Sequence, residues 1–419
     1  MADRNGAAPR VVITGIGPVT PIGTGVTAFT ESLRDGRSGV APIRSFDASD
    51  LKVRIAAEVD DFDAERYMSG KAAKRMARFS QMAVAAAHLA VEDAGLDYKA
   101  LDPDCVGVVV NTGGGGVNTV LEEQELAERR GVQRASAFFV PTMAPNMAAC
   151  QVSIELGLQG PVVASVAACA SSITAFIDAV HLIQHGEAEV VLTGGAESSL
   201  SALAVSALAN MHALSRRNDD PQGASRPFDK DRDGFVMGEG SAVCVLETLD
   251  AARARGAHVY AEVLGGGRCA DAYHISAPEP DGSGAARAMR RALDSTNLKA
   301  GDVDYICAHG TGTSLNDAAE TSAIKQVFGE HAYRLAVSSP KSLTGHLMGA
   351  AGAVSVTATA LAIDRQLLPP TINLDTPDPD CDLDYVSNQS REAPVRVALA
   401  NGFGFGGQNA VVALARVAD

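Results

Sequence analysis

Cys169 lies in VASVAACASSITAF, where an apolar run gives way to small residues and then to a helical pattern. A thiol at a helix start meets unpaired backbone N–H groups and the positive end of the dipole, so this position predicts a favoured thiolate. Ala167, Ala168, Ala170 and Ser171 permit a tight turn and leave room for a substrate. The chemistry that fits is nucleophilic, with the sulfur taking up a carbon group as a thioester. The ordinary alternative is a reduced core thiol, which is how the remaining cysteines read, Cys244 in AVCVLE for example.

Two histidines have comparable settings. His309 ends the run ICAH and is followed by Gly310, Thr311, Gly312 and Thr313, whose backbone and hydroxyls suit a narrow pocket. His346 lies in SSPKSLTGHLMGAAGA, with Lys341 just after Pro340 at the end of another apolar run. A lone histidine is more often structural, but a histidine at a strand end before a Gly/Thr loop departs from that pattern. NGFGFGGQN, from Asn401, packs glycines and two phenylalanines together. Such a loop can present a backbone N–H to an oxyanion while a phenylalanine acts as a movable cover; a plain tight turn is the alternative.

These residues need a frame that brings strand ends together. Apolar β-branched runs start at Val11, Cys105, Val162, Glu189, Val303 and Arg334, and Ala-rich helical stretches separate them, as in QMAVAAAHLAVEDAG and SSITAFIDAVHLI. Continuous apolar strands between helices imply sheets covered on both faces, an α/β fold. An internal repeat is visible. PDCVGVVVNTGGGG parallels GDVDYICAHGTGT, and VVASVA before Cys169 parallels LAVSS before Lys341 and His346. Two similar halves, residues 10–255 with the nucleophile and 256–417 with the histidines, would place matching strand ends at one site.

Composition narrows the classes. The chain has 419 residues with a net charge of −15, which argues against a general nucleic-acid or anionic-membrane binder. No stretch has the length of a membrane-spanning helix, and Met1 to Arg10 lacks the apolar core of a signal peptide, so a cytoplasmic protein is expected. Cysteine is odd in number, at seven, with no C-x-x-C pair. GIGPVT begins like a dinucleotide fingerprint but has Thr20 where the third glycine belongs; Gly113 to Gly116 lacks the Lys-Ser/Thr of a phosphate loop. No nucleotide, flavin or metal motif is present.

The order of the motifs points further. A cysteine after a small-residue turn, then HGTGT, PKSLTGH and GFGFGG, together with SRPFDKDRDGFVMGEG and LPPTINLD, resembles the β-ketoacyl-acyl-carrier-protein synthases of the thiolase superfamily. The resemblance covers nearly the whole chain and is nearest to the elongating, type II fatty-acid form. It implies a duplicated five-layered α/β/α/β/α fold, a homodimer, and acyl carrier protein as partner. The enzyme itself would bind no cofactor or metal; the phosphopantetheine arm comes with the carrier. By the same resemblance Cys169 accepts the acyl chain, and His309 and His346 stabilise the enolate formed when malonyl-carrier protein loses CO₂. Lys341 supports the electrostatics, the N–H groups of Cys169 and Phe405 form the oxyanion hole, and Phe405 gates the site. Thr311 and Thr313 hold the pantetheine arm, and Phe138 and Phe403 are further substrate contacts. Neutral imidazoles can supply enolate donors without a metal.

Three further expectations follow. Lys71, Lys74, Arg75 and Arg78 would line one side of a helix and dock an acidic carrier protein, unless they are simply a solvated face. Gly114, in the glycine run, either leaves an acyl pocket open or lets backbone pass close by. Ser355 stands where the family commonly has a glutamate, which removes the usual ion-pair support near Lys341, with Glu320 as a possible substitute. A type II polyketide ketosynthase paired with a chain-length factor is the rival reading. A non-catalytic chain-length partner normally lacks the nucleophile, and a Cys-His hydrolase would not need two histidines and Lys341.

Overall fold

The computed structural model describes residues 8–418, so the extreme N-terminus considered above lies partly outside it. The main sheet is built from two sets of strands. The first set is β1 (Val11–Thr20), β2 (Val106–Asn111), β3 (Val162–Val163), β4 (Val190–Glu197) and β5 (Gly240–Thr248). The second is β6 (Ala261–Ala270), β7 (Tyr305–Cys307), β8 (Ala336–Ser338), β9 (Val397–Gly404) and β10 (Gln408–Ala415).

The halves have the same topology. In the first, β5 pairs antiparallel with both β1 and β4, and β2 runs parallel to β4 and β3. In the second, β10 pairs antiparallel with both β6 and β9, and β7 runs parallel to β9 and β8. The duplication expected from the sequence is therefore present strand for strand. One refinement is that β1 also pairs with β6, Val12 opposite Glu262 and Ile13 opposite Ala261, so the two sheets join edge to edge.

The helices complete five layers. Outside the first sheet lie α1 (Arg78–Asp93) and, beyond an exposed helix α2 (Val117–Arg130), α3 (Met147–Leu156). Between the sheets lie α4 (Ser171–Gln184) and, later in the chain, α7 (Ala351–Arg365). Outside the second sheet lie α5 (Ser283–Ser295) and α6 (Ser314–Phe328). The central pair must be apolar all round, because it faces a sheet on each side. Residues 351–363 of α7 are all buried, and α4 buries Ile173, Phe176, Ile177 and Val180. Small alanines let these helices sit close, which explains the composition. Among the described residues no helix is long and apolar enough to cross a membrane.

Candidate active site

The site forms where the carboxyl ends of strands from both halves converge. Cys169 sits in a single 3₁₀ turn, Ala168–Ala170, directly before α4. The preceding strand is shorter than the apolar run suggested, ending at Val163, and a loop covers the remaining distance. Ala168 has φ 48°, a left-handed conformation that costs a non-glycine residue about 1–3 kcal/mol. The turn is held from several sides. Ser171 Oγ donates to Ala168 O at 2.7 Å and accepts the Ala167 N–H at 2.9 Å. Gly404 packs so tightly against it that a Cβ there would lie 2.7 Å from Ala167 O and 3.1 Å from Cys169 N.

A cavity of about 260 Å³ opens beside the sulfur, lined by Cys169, His309, His346, Thr311, Thr313, Phe403 and Phe405 among others. The imidazoles meet edge to face, 5.4 Å between ring centres at 84°. Phe403 stacks obliquely on His309 at 5.6 Å, and Phe235, which the sequence did not single out, packs edge-on against His346 at 5.2 Å. The hydroxyls of Thr311 and Thr313 bond each other at 3.0 Å; Thr313 also caps α6 by accepting the Asn316 N–H. A larger cleft of about 1020 Å³ lies elsewhere and includes none of Cys169, His309 or His346.

The loop carrying His309 is clamped by two carboxylates one helical turn apart on α6. Glu320 accepts the N–H groups of His309 and Gly310, both at 2.8 Å, and Asn401 Nδ2 at 2.9 Å. Asp317 accepts from Thr311 N, Gly312 N and Phe228 N. Neither clamp was read as such from the sequence. The signal was there as two acidic residues, three apart, in a helix whose core face is otherwise apolar.

Burial dominates the electrostatics. It pushes both His309 and His346 well below the ordinary imidazole value, and the nearby Lys341 ammonium pushes the same way. Both rings are therefore neutral near pH 7. Burial also pushes the Cys169 thiol up, to about 12. Lys341 and the backbone N–H groups of Phe405 and Cys169 pull it back, while Glu197 raises it further. The favoured resting thiolate expected from the helix start is thus corrected: in this dry pocket desolvation outweighs the helix and Lys341. Lys341 itself is lowered by burial and makes no ion pair within 4.0 Å among the described residues. Glu320 acts on it only through space, since its oxygens are taken by the His309 loop. Ser355 instead joins Thr359 around the Cys307 thiol.

Other expected positions fall elsewhere. Gly114 and Phe138 do not line the Cys169 cavity. The glycine run packs around a buried glutamate. A Cβ on Gly113 would lie 2.8 Å from Glu197 Oε2, and one on Gly114 3.1 Å from Glu197 Oε1, so close backbone approach explains it rather than an open pocket. Phe138 is 45% exposed and lies under the Arg75 guanidinium, 4.5 Å from the ring centre. The basic residues do not share one helix. A short helix, Gly70–Ala73, ends before Lys74, and α1 starts at Arg78. Lys71, Lys74 and Arg75 are exposed, but Arg78 turns inward to pair with Glu239 at 2.7 Å.

Residues 8–252 match the N-terminal domain of β-ketoacyl synthases and residues 260–375 their C-terminal domain. The chain belongs to the β-ketoacyl synthase family. It is 50% identical to the 3-oxoacyl-[acyl-carrier-protein] synthase 2 of Synechocystis sp., covering 96% of this chain and 97% of that protein. Among solved structures, the ishigamide ketosynthase/chain length factor superposes with a TM-score of 0.93 at 37% identity, covering 98% of this chain and 100% of that one. A type II PKS acyl-carrier protein in complex with its ketosynthase, AntDE:AntF, contains a chain matching with a TM-score of 0.89 at 33% identity, over 98% and 100%.

Proposed function

We propose that this protein is an elongating β-ketoacyl-acyl-carrier-protein synthase of fatty-acid synthesis. One observation carries the reading: a buried cysteine at a strained helix start shares a small cavity with two neutral histidines. The 50% identity to a 3-oxoacyl-[acyl-carrier-protein] synthase 2 favours fatty-acid elongation.

Cys169 Sγ attacks the thioester carbonyl of an acyl-carrier protein, and the thiol proton leaves with the pantetheine sulfur. The N–H groups of Cys169 and Phe405 receive the charge on the tetrahedral oxygen. Malonyl-carrier protein then enters along Thr311 and Thr313. Its carboxylate departs as CO₂, and His309 and His346 donate to the enolate oxygen. The enolate carbon attacks the Cys169 thioester, the C–S bond breaks, the released Cys169 sulfur takes up a proton from water to return to the thiol, and β-ketoacyl-carrier protein leaves. The enzyme binds no cofactor of its own in this scheme; the pantetheine arm belongs to the carrier. Lys71, Lys74 and Arg75 form the docking surface for that acidic partner.

A second copy of this chain covers the face around α2. That helix buries none of its residues, and Val132, Phe138 and Val140 stand exposed in the segment that follows it. The likeness to a ketosynthase/chain length factor favours a second reading of the same surface, a heterodimer in a polyketide pathway. All seven cysteines are free, as expected in the reducing cytoplasm. Incubation with an acyl-carrier protein and malonyl-carrier protein tests the function. A β-ketoacyl product two carbons longer supports it; release of free fatty acid would point to a hydrolase instead.

A further inference from the structure

Glu197 ends β4 with its side chain wholly buried, and the reaction described above gives it no role. A carboxylate removed from water is costly unless donors surround it. Its oxygens accept the N–H groups of Gly113 at 2.9 Å, Gly114 at 3.2 Å and Gly349 at 3.1 Å, and it is also bonded by the Ser199 side chain. These donors come from both halves of the molecule. Gly113 and Gly114 follow β2, whereas Gly349 closes the turn that begins at His346.

Gly349 is a crossing point. Its carbonyl accepts Ser172 Oγ at 2.7 Å, and the same hydroxyl accepts the Ala353 N–H at 2.8 Å. Ser172 belongs to α4, the helix that starts at the nucleophile. The packing has no slack: a Cβ on Gly349 would lie 2.0 Å from Gly113 N, and one on Gly195 would lie 2.7 Å from Ser172 Cβ. Met348, next to Gly349, is held at φ 44° and lines the cavity with Cys169 and His346.

We propose that Glu197 is a positioning residue for the condensation, fixing the His346 turn against the nucleophile helix through Gly349. Burial raises the Glu197 carboxyl above the ordinary value while the glycine N–H donors and Ser199 stabilise its anion; that charge has a second consequence at the sulfur. The groups acting on Cys169 are Lys341, Glu197, the neutral rings of His309 and His346 in the cavity, and the N–H groups of Phe405 and Cys169. Lys341 favours the thiolate and Glu197 opposes it. Burial is the main cause of the raised thiol and Glu197 adds to it, so removing its charge has a readout at the sulfur that a purely structural carboxylate would lack.

Two variants separate position from charge. Glu197→Gln keeps length but turns amide hydrogens toward the glycine N–H donors and removes the charge. Glu197→Asp keeps the charge and shortens the reach. Both are expected to slow malonyl-carrier-protein decarboxylation by about 10²-fold, the scale of a misplacement of about 1 Å. The pH midpoint of iodoacetamide alkylation at Cys169, read by peptide mapping, is expected to fall in Glu197→Gln and stay unchanged in Glu197→Asp. Wild-type decarboxylation at the folded Asp variant would overturn the proposal, as would an unmoved midpoint in a folded Gln variant. Should the Gln variant fail to fold, the Asp decarboxylation rate decides alone. The proposal rests on the condensing reading, and the wild-type enzyme in the same decarboxylation assay tests that reading separately.

Discussion

The two halves share one strand order but use it differently. After β2 the first half places the glycines Gly113 to Gly116; after the equivalent β7 the second half places His309 and its Gly/Thr loop. Each loop is held by buried carboxylate, but from different directions. In the first half Glu197 reaches across from the end of β4. In the second half Asp317 and Glu320 reach back from α6. That leaves the end of β9, the counterpart of β4, free of a carboxylate. Gly404 occupies it and presses directly on the nucleophile turn. A duplicated scaffold thus yields a single cavity, because the first half supplies the sulfur and part of the wall, Phe235 included, and the second supplies the two histidines and the rest.

This division of labour can be broken at graded points. The deepest is Asp317→Asn, which weakens the clamp on the Gly/Thr loop and removes one of the two carboxylates paired with the buried Arg232, leaving Asp378. Losing hydrogen bonds to a charged group typically costs about 1.5–3 kcal/mol, to be read from urea unfolding. No equivalent loss should follow from removing Arg78, whose partner Glu239 keeps donors in Val59 N and Ser198 Oγ. Next, His309→Ala or His346→Ala should cut decarboxylation by roughly 10²–10³, the cost of one oxyanion donor, while Cys169 still becomes acylated. Labelled CO₂ release and intact mass separate the two. In the wild type, lowered imidazole pKa values keep both rings neutral as pH falls, so decarboxylation should stay level through pH 6.5, the ordinary histidine value. A fall centred there would contradict the burial argument.

Smaller effects lie at the surface. Reversing charge at Lys74 and Arg75 should raise KM for carrier-bound substrate in a salt-dependent way and leave a small acyl thioester unaffected. Equal loss with both substrates would mean damage to the fold. Gly114→Ile should bring the least change. It should slow acyl chains of all lengths alike, because its Cβ meets Glu197 and Ser199 rather than an acyl cavity. Selective loss of long chains would restore the pocket reading.

Much of this was legible in the sequence because it is local. Strand ends show as apolar runs stopping at small residues, and the repeat shows as similar runs in a similar order. Cys169, His309, His346, Thr311, Thr313, Phe403 and Phe405 all reach one cavity because each lies at or beyond such an end. What could not be read depends on partners distant in sequence. Glu197 and Gly349 are bonded across 152 positions, and Arg78 and Glu239 across 161. The basic run looked like one helix face because residue spacing cannot reveal the break between Ala73 and Arg78. The thiol misled for a similar reason: helix-end geometry is local, whereas desolvation depends on everything packed around the sulfur.

The central claim is that the two halves carry separable steps meeting at one sulfur. Intact mass of Cys169→Ala after incubation with acyl-carrier protein, with CO₂ release from malonyl-carrier protein followed in parallel, tests it most directly. The account predicts no acyl adduct and continued decarboxylation, since His309 and His346 remain in place. An acyl adduct on the variant would contradict it, because another residue would then be the nucleophile.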